Sequence, residues 1–320
     1  MIGPPRLNTQ LNTDLTWIEN YQHPSGGVAY LPGRKPRIEP TTYAILAGLT
    51  RPEDIIWLRA VLPQQIFNNP LPPISRIKSP YHIDGRPWIV AAGILALCQE
   101  QTLQDDLDLA ACAKYFQENH AADSKGQTKN MMEVELVGAL PWNYGNYGWV
   151  QPTCWGIFTE LALLSIATKQ SDQELLLSNL QARLDYILSR KTADQGWNYG
   201  NTILFDVEIP AHPLETAMAL AALGGIKNSK IASYLIFTKI NPDPCFATLD
   251  QLITNEGSRL TKAWLKIARR CWKKNTDSPV DIPQNRPAIG ESSVDCLIAH
   301  IATIQGQQQG FHFLYPKSKP

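Results

Sequence analysis

The stretch Gln151-Pro152-Thr153-Cys154-Trp155-Gly156-Ile157-Phe158-Thr159-Glu160-Leu161 decides the fold, because its order of residue types recurs along the chain. A polar residue able to cap a helix comes first, then proline at the first helical position, then threonine and an almost wholly apolar body. The segment from Glu39 to Leu49 repeats this order closely. Weaker copies begin at Pro87, Pro213, Phe246 and Glu291. Such recurrence predicts six helices of one kind.

The apolar bodies of these copies have no polar face, so we expect each helix to be buried on all sides. Between them lie amphipathic segments, which we expect to form outer helices. These segments are residues 11–22, 52–62, 105–119, 172–190, 228–238 and 258–274. Alternation of six outer with six inner helices predicts an all-α fold, a closed (α/α)6 toroid, because closure leaves no inner helix exposed at an end. The whole chain, residues 1–320, is then one domain.

Composition limits the class of protein. Of the 320 residues, 44% are hydrophobic and 18% charged, which is typical of a globular protein and excludes disorder for most of the chain. Lys and Arg together number 29, as do Asp and Glu, so no net charge draws the molecule to nucleic acid. The longest apolar stretch, Trp88 to Cys98, is too short to span a bilayer, and the six cysteines show no C-x-x-C spacing. We therefore expect a soluble, cytoplasmic protein with reduced thiols and no nucleic-acid partner.

Gly- and Trp-rich turns precede several copies. They are Gly26-Gly27-Val28-Ala29-Tyr30, Pro141-Trp142-Asn143-Tyr144-Gly145 and Gly196-Trp197-Asn198-Tyr199-Gly200. These turns resemble the repeats of the prenyltransferase and squalene-cyclase superfamily over nearly the full chain. The resemblance implies an α/α toroid with a central cavity that binds isoprenoids. In that superfamily the repeat residues are largely architectural, so a structural role is favoured for most of the matching aromatic residues.

The catalytic motifs of the resembled families are missing. No Asp-x-Asp-Asp run is present, and Asp105-Asp106-Leu107-Asp108 has the reverse order and suits the start of an outer helix. The zinc site of protein prenyltransferases needs Asp-x-Cys, whereas Asp295 and Cys296 are adjacent. The zinc site of lanthipeptide cyclases needs a cysteine where this chain has Asn198. We expect no metal and no cofactor.

Carboxylates within the inner helices are the main catalytic candidates. Asp250 and Asp295 share a repeat position with Tyr43 and Trp155, so they would lie on adjacent inner helices and face one cavity. Without a cation in either segment, one carboxyl would stay protonated and could protonate an alkene or epoxide. The alternative is that each merely hydrogen-bonds a neighbouring repeat or a helix start.

Further candidates, among them His82, Asp84 and Glu215, lie before or at the starts of inner helices, at the expected mouth of the toroid. The full set of candidate catalytic residues is Asp295, Asp250, His82, Asp84 and Glu215. The candidate substrate-binding residues are Tyr43, Trp88, Trp142, Trp155, Trp197, Tyr199 and His212.

Three function classes remain open. The first is a terpenoid cyclase- or isomerase-like enzyme acting on an isoprenoid or other apolar substrate. The second is a non-catalytic subunit that binds an isoprenoid or peptide and needs a protein partner. The third is a structural toroid whose interior is filled by side chains. Basic residues 259–274, with Trp264 and Trp272, could also meet a membrane surface, although a solvated outer face is favoured.

Overall fold

The computed structural model describes residues 16–69, 86–99, 105–121, 138–236, 240–256, 258–274 and 292–307. This part of the chain is mainly helical, which confirms the all-α class. Its α-helices are α1 Ile38–Leu46, α2 Pro52–Val61, α3 Pro87–Gln99, α4 Leu109–Glu118, α5 Val150–Ile166, α6 Gln170–Ser189, α7 Pro213–Asn228, α8 Asp243–Glu256, α9 Arg259–Cys271 and α10 Ser293–Gln307. A small antiparallel hairpin, β1 Ile203–Leu204 and β2 Val207–Glu208, precedes α7.

Six of these helices contact one another in a closed succession, which we call the contact ring. Helix α1 contacts α3, and the succession continues through α5, α7, α9 and α10 back to α1. The other helices pack beside members of the contact ring: α2 on α1, α6 on α5, and α8 on α7, with α4 against α6.

Three helices of the contact ring are buried as the sequence predicted. Helix α3 is buried from Pro87 through Cys98, and α5 is buried over most of its length. Helix α7 is likewise buried, with alanines and glycines that let neighbouring helices approach closely. These helices lack a polar face, so they are stable only where neighbours cover every side.

Two helix assignments from the sequence are wrong. The copy at Phe246 forms α8, which exposes Ala247, Asp250 and Gln251 and lies outside the contact ring. Segment 258–274 forms α9, which occupies the ring position between α7 and α10. Trp264 in the apolar stripe of α9 is fully buried. Burial of the large aromatic surface of that stripe favours a position for α9 in the contact ring. The copy at Phe246 matches the repeat only weakly, through its threonine, so the repeat pattern was a poor guide there.

The predicted outer segments have mixed outcomes. Residues 52–62 and 105–119 contain α2 and α4, and residues 172–190 contain all of α6 except its first two residues. Within 11–22 and 228–238 the described residues form short 3-10 helices, Thr16–Asn20 and Lys230–Tyr234. Residues 11–15 and 237–238 lie outside the described part of the chain.

In three of the repeat copies a threonine fastens the preceding turn to its helix. The Thr41 hydroxyl accepts from Val28 N at 2.8 Å and donates to Arg37 O at 2.7 Å. The Thr153 hydroxyl accepts from Leu140 N at 3.0 Å, and the Thr216 hydroxyl accepts from Trp197 N at 3.0 Å. The recurring sequence pattern is therefore a recurring hydrogen-bond motif, in which a side chain satisfies a buried N–H of the turn.

Candidate functional site

The two aspartates that were predicted to share a cavity have different environments in the structure. Asp250 is on the exposed side of α8, where its carboxylate forms an ion pair with Arg269 of α9 at 2.7 Å. Its side chain is 48% exposed. The predicted placement of Asp250 beside Asp295 in an apolar interior is therefore wrong, because the helix that carries Asp250 lies outside the contact ring.

Asp295 lies half-buried in the first turn of α10 and close to Tyr43 of α1. Burial raises the pKa of Tyr43 well above its usual value, and the neighbouring Glu39, Tyr30 and Asp295 add to the shift, while a hydrogen bond with Trp264 opposes it. The phenol of Tyr43 is thus held neutral among acidic neighbours. Asp295 therefore lies near the phenol of Tyr43, in place of the expected second aspartate.

Aromatic side chains fill the space between α1, α5 and α9. The ring centroids of Tyr43 and Trp155 are 5.5 Å apart, and those of Trp155 and Trp264 are 5.8 Å apart. Phe158 stacks on Trp264 at 5.5 Å. None of these four side chains is more than 3% exposed. Two predicted substrate-binding residues, Tyr43 and Trp155, therefore pack against protein.

The other predicted tryptophans also pack tightly. Trp88 is buried and meets the half-buried Trp142 edge-on, with centroids 5.0 Å apart. Trp197 is fully buried, and its indole N–H donates to Ile187 O at 2.7 Å. Trp197 therefore ties its turn to the end of α6. His82 and Asp84 lie outside the described residues.

Three predicted residues do come together, at the start of α7. His212 is the extended residue before the helix, Pro213 is the first helical residue, and Glu215 follows in the first turn. This spacing of three residues puts the His212 and Glu215 side chains on one side of the helix end. Tyr199 reaches them from the preceding turn.

Asn198 shapes that turn. Its amide donates to Asn201 O at 2.6 Å and to Ile209 O at 3.2 Å, while its carbonyl oxygen accepts from Gly200 N at 2.9 Å. Gly200 has a φ of 142°, a backbone conformation that favours glycine. The sequence marked Asn198 only as the residue in place of a zinc ligand. In the structure it holds Tyr199 in place beside His212.

The three side chains form a hydrogen-bonded chain. His212 Nδ1 lies 2.5 Å from Glu215 Oε2, and His212 Nε2 lies 3.2 Å from the Tyr199 hydroxyl. Glu215 is buried, whereas the His212 side chain is 40% exposed and Tyr199 is 47% exposed. The half-buried Trp149 meets the Tyr199 ring at 5.6 Å. These hydrogen bonds thus connect a buried carboxyl to an exposed phenol through the His212 ring.

The electrostatics of this chain suit proton transfer. Burial raises the pKa of Glu215, while His212 and a backbone hydrogen bond oppose the rise. An ionised Glu215 can only accept, so the His212–Glu215 contact then requires the proton of the neutral ring on Nδ1 and leaves Nε2 to accept from Tyr199. Glu215 can stabilise the imidazolium that forms when Nε2 takes a proton. We call these three residues the Tyr–His–Glu chain.

A buried ion pair was missed by the sequence reasoning. Arg183 Nε of α6 donates to Glu160 Oε2 of α5 at 2.9 Å, and Arg183 Nη1 donates to Gly138 O at 2.7 Å. Burial raises the pKa of Glu160 to about 6, although Arg183 opposes the shift. The signal was a single glutamate in an otherwise apolar helix, which requires a buried partner. The pair joins α5 to α6 and is remote from solvent.

The described residues contain neither a metal-binding cluster nor a membrane-spanning helix. Within the described ranges, no group of three or more His, Cys, Asp or Glu side chains is arranged to hold a metal ion. No helix in the part of the chain that the structure describes is both long and apolar enough to cross a bilayer.

Comparison with known proteins gave no assignment. No protein-family model matches the chain, and no curated protein matches it significantly.

Proposed function

We propose that the contact ring is a closed α/α toroid, and that the protein is a terpenoid cyclase- or isomerase-like enzyme. Its Tyr–His–Glu chain would move a proton on an isoprenoid or similar apolar substrate. The observation that carries this proposal is the hydrogen-bonded path from buried Glu215 through His212 to exposed Tyr199. A purely structural helix cap does not require a phenol at the solvent end of that path.

Contacts near the starts of the ring helices support the toroid. Val150 N at the start of α5 donates to Tyr199 O in the turn before α7, at 3.1 Å. Ser293 at the start of α10 donates through its hydroxyl to Ala29 O, in the turn before α1, at 2.8 Å. Arg259 at the start of α9 lies 2.9 Å from the Cys296 sulfur. The starts of α9, α10 and α1 therefore lie close together, and so do the starts of α5 and α7, where the Tyr–His–Glu chain lies.

An apolar ligand is suggested by the surroundings of this chain. The β1–β2 hairpin lies between Tyr199 and His212 in the sequence, and it exposes Ile203, Phe205 and Val207 to solvent by 40%, 69% and 61%. Asn198 binds both ends of the segment that carries the hairpin. Exposed apolar side chains beside polar catalytic groups are typical of sites for apolar substrates.

The proposed chemistry is general acid–base catalysis. His212 Nε2 accepts the proton of the Tyr199 hydroxyl as that oxygen takes a proton from the substrate, and the reverse transfer protonates the substrate at another carbon. Glu215 remains ionised and stabilises the imidazolium. Removal and return of a proton shifts a double bond, which is an isomerisation. Well-placed acid–base groups of this kind contribute about 10²- to 10⁴-fold in rate.

A second candidate is a non-catalytic toroid that binds a ligand or a protein partner. The aromatic packing of Tyr43, Trp155 and Trp264 favours it, because these side chains occupy the space where a central substrate would lie. On this alternative the Tyr–His–Glu chain orders the start of α7 and transfers no proton.

The test begins with native mass spectrometry of protein purified from its own host, to identify an apolar ligand that remains bound. That ligand, with farnesol as a first probe, is then incubated with the protein in deuterium oxide and examined for deuterium at carbon. We expect incorporation by the wild-type protein and a loss of about 100-fold or more in His212→Gln and Tyr199→Phe.

Tyr147→Phe is the matched control, because Tyr147 is an exposed tyrosine outside the Tyr–His–Glu chain. It should leave incorporation unchanged. Binding without any deuterium incorporation would support the binding protein instead. Incorporation that survives both His212→Gln and Tyr199→Phe would remove these residues from the mechanism.

A further inference from the structure

One side of α9 carries lysines that nothing in the described part of the chain neutralises. Lys262 and Lys266 are four residues apart and half-exposed, and Lys273 is exposed just beyond the helix end. We call these three residues the lysine face. Lys262 and Lys266 lie on the side of α9 opposite the buried Trp264, since residues two positions away from it project to the other side of a helix. Lys273 follows them beyond the helix end. No described residue gives any of the three a hydrogen-bond or ion-pair partner.

The other cations of α9 and its end are already engaged. Arg269 pairs with Asp250 at 2.7 Å, and Lys274 pairs with Asp243, both on α8. Arg270 donates to Ala302 O of α10, and Arg259 donates to the sulfur of Cys296. Asp243 and Asp250 of α8 therefore pair with residues beside the lysine face, and no described residue compensates the charges of the lysine face itself.

Lys266 is repelled by a neighbouring cation. Partial burial lowers the pKa of Lys266, and the positive charge of Arg270 lowers it further. An anionic group placed against Lys266 would relieve that repulsion, whereas solvent screens it only in part.

A lipid surface does not fit this face. Membrane-binding helices present aromatic or large aliphatic side chains beside their basic residues. Trp264 and Trp272, the aromatic residues that suggested membrane contact in the sequence, are 0% and 8% exposed. The Trp272 indole N–H donates to Leu220 O at 2.7 Å inside the protein. Contact through the lysine face is therefore electrostatic, without an apolar anchor.

We infer that Lys262, Lys266 and Lys273 form a docking surface for an acidic helix of a partner protein. Lys262 and Lys266 lie about 6 Å apart along α9, the same distance that separates glutamates at positions i and i+4 of a second helix. The structure itself shows this mode of contact, since Asp250 on α8 pairs with Arg269 on α9. Long lysine stems can also cover apolar surface of a partner while their charges pair. This surface is separate from the Tyr–His–Glu chain and does not depend on its proposed activity.

The test uses a fluorescent helical peptide with glutamates at positions i, i+4 and i+8, and a scrambled peptide of the same composition. Anisotropy is measured with the full chain at low and at high salt. We expect the ordered peptide to bind more tightly than the scrambled one, and binding to weaken as salt rises, because exposed charge pairs are screened. The triple variant Lys262→Gln, Lys266→Gln, Lys273→Gln should lose about tenfold or more in affinity.

A matched triple variant, Lys114→Gln, Lys169→Gln, Lys230→Gln, removes the same charge at exposed positions elsewhere and should bind as the wild type does. Circular dichroism of both triple variants verifies that they fold, and Lys266→Gln alone should give a smaller loss of affinity in the same direction. Equal loss in both triple variants would overturn the inference, and so would equal binding of the two peptides. Binding to phosphatidylserine vesicles but not to the peptide would show that the surface serves a membrane instead.

Discussion

Trp264 of α9 packs edge-on against Trp155 of α5, with ring centroids 5.8 Å apart and ring planes at 84°. Edge-to-face packing at this distance is favourable beyond the area that it buries. The contact joins two helices that are not successive members of the contact ring. The indole of Trp264 also hydrogen-bonds Tyr43 of α1. One side chain thus links three helices that are far apart in the sequence.

Replacement of Trp264 by alanine should therefore destabilise the protein strongly. We expect a loss of about 3–5 kcal/mol in the free energy of unfolding, because a large cavity opens among Tyr43, Trp155 and Phe158. Urea denaturation followed by circular dichroism measures this loss. Tyr234→Ala is the control, since Tyr234 is 74% exposed, and it should change stability by less than about 0.5 kcal/mol. Equal effects of the two substitutions would place Trp264 outside the core.

The role of Trp264 marks the limit of what the sequence could predict. The repeat of capping residue, threonine and apolar body correctly located α1, α3, α5 and α7, because a helix with no polar face has one stable environment. The repeat pattern failed for α8 and α9. An amphipathic helix can take a place in the ring with one polar edge exposed, or it can pack outside the ring. Only the partner of the aromatic stripe decides between these positions, and that partner is a long-range contact.

The candidate site was predictable in part for the same reason. Glu215 and His212 are three residues apart across a helix start, so local geometry alone brings them together. Tyr199 joins them through a turn that Asn198 closes, and nothing in the spacing of Tyr199 and His212 specifies that turn. Asp250 was misplaced because its position relied on the weakest repeat copy.

The repeat threonines should be measurable contributors to stability. Thr153→Val keeps the shape of the side chain but leaves Leu140 N without its acceptor at 3.0 Å in a buried turn. An unsatisfied buried donor costs about 1–3 kcal/mol, and we expect that loss in chemical denaturation. Thr254→Val is the matched control, because the Thr254 hydroxyl bonds Asp250 O on an exposed face of α8. A loss in Thr153→Val no greater than that in Thr254→Val would show that the hydrogen bond to the turn is unimportant.

Two glycines with positive φ should respond differently to alanine. Gly138 has a φ of 96°, and a Cβ there would lie 2.5 Å from the carbonyl carbon of Ala182. Gly33 has a φ of 68°, and a Cβ there meets nothing within 4 Å. Both substitutions incur backbone strain of about 1–2 kcal/mol, but Gly138→Ala adds a backbone clash with α6. We expect a clearly lower thermal midpoint for Gly138→Ala than for Gly33→Ala, and the reverse order would contradict the close approach of this turn to α6.

The buried pair of Glu160 and Arg183 should be costly to break from one side. Arg183→Met leaves the Glu160 carboxyl in an apolar helix with no cation, so we expect a loss of about 3–5 kcal/mol near neutral pH. The exposed pair of Lys114 and Glu118, 3.6 Å apart, provides the control. Lys114→Met should change the free energy of unfolding by less than about 1 kcal/mol. A small effect of Arg183→Met would mean that Glu160 is already neutral at that pH.

The same pair predicts a pH dependence of stability. The pKa of Glu160 is about 6 in the folded protein, above the value of about 4.3 for a glutamate in an unfolded chain. The folded protein therefore binds the proton of the Glu160 carboxyl more tightly than the unfolded chain does. The stability that this proton binding contributes is fully present below about pH 4.3 and is lost as the pH rises through 6. This difference in pKa corresponds to a change on the order of 2 kcal/mol in the free energy of unfolding.

Glu160→Gln removes the titrating group and isolates this contribution, because Glu215 and the other acids still titrate in both proteins. We expect the two proteins to have similar stability near pH 4 and the variant to become the more stable one near pH 7, by on the order of 2 kcal/mol. Urea denaturation at intervals between these pH values measures the difference. A wild-type protein that gains stability over Glu160→Gln as the pH rises would show that Arg183 outweighs burial and holds the carboxylate ionised.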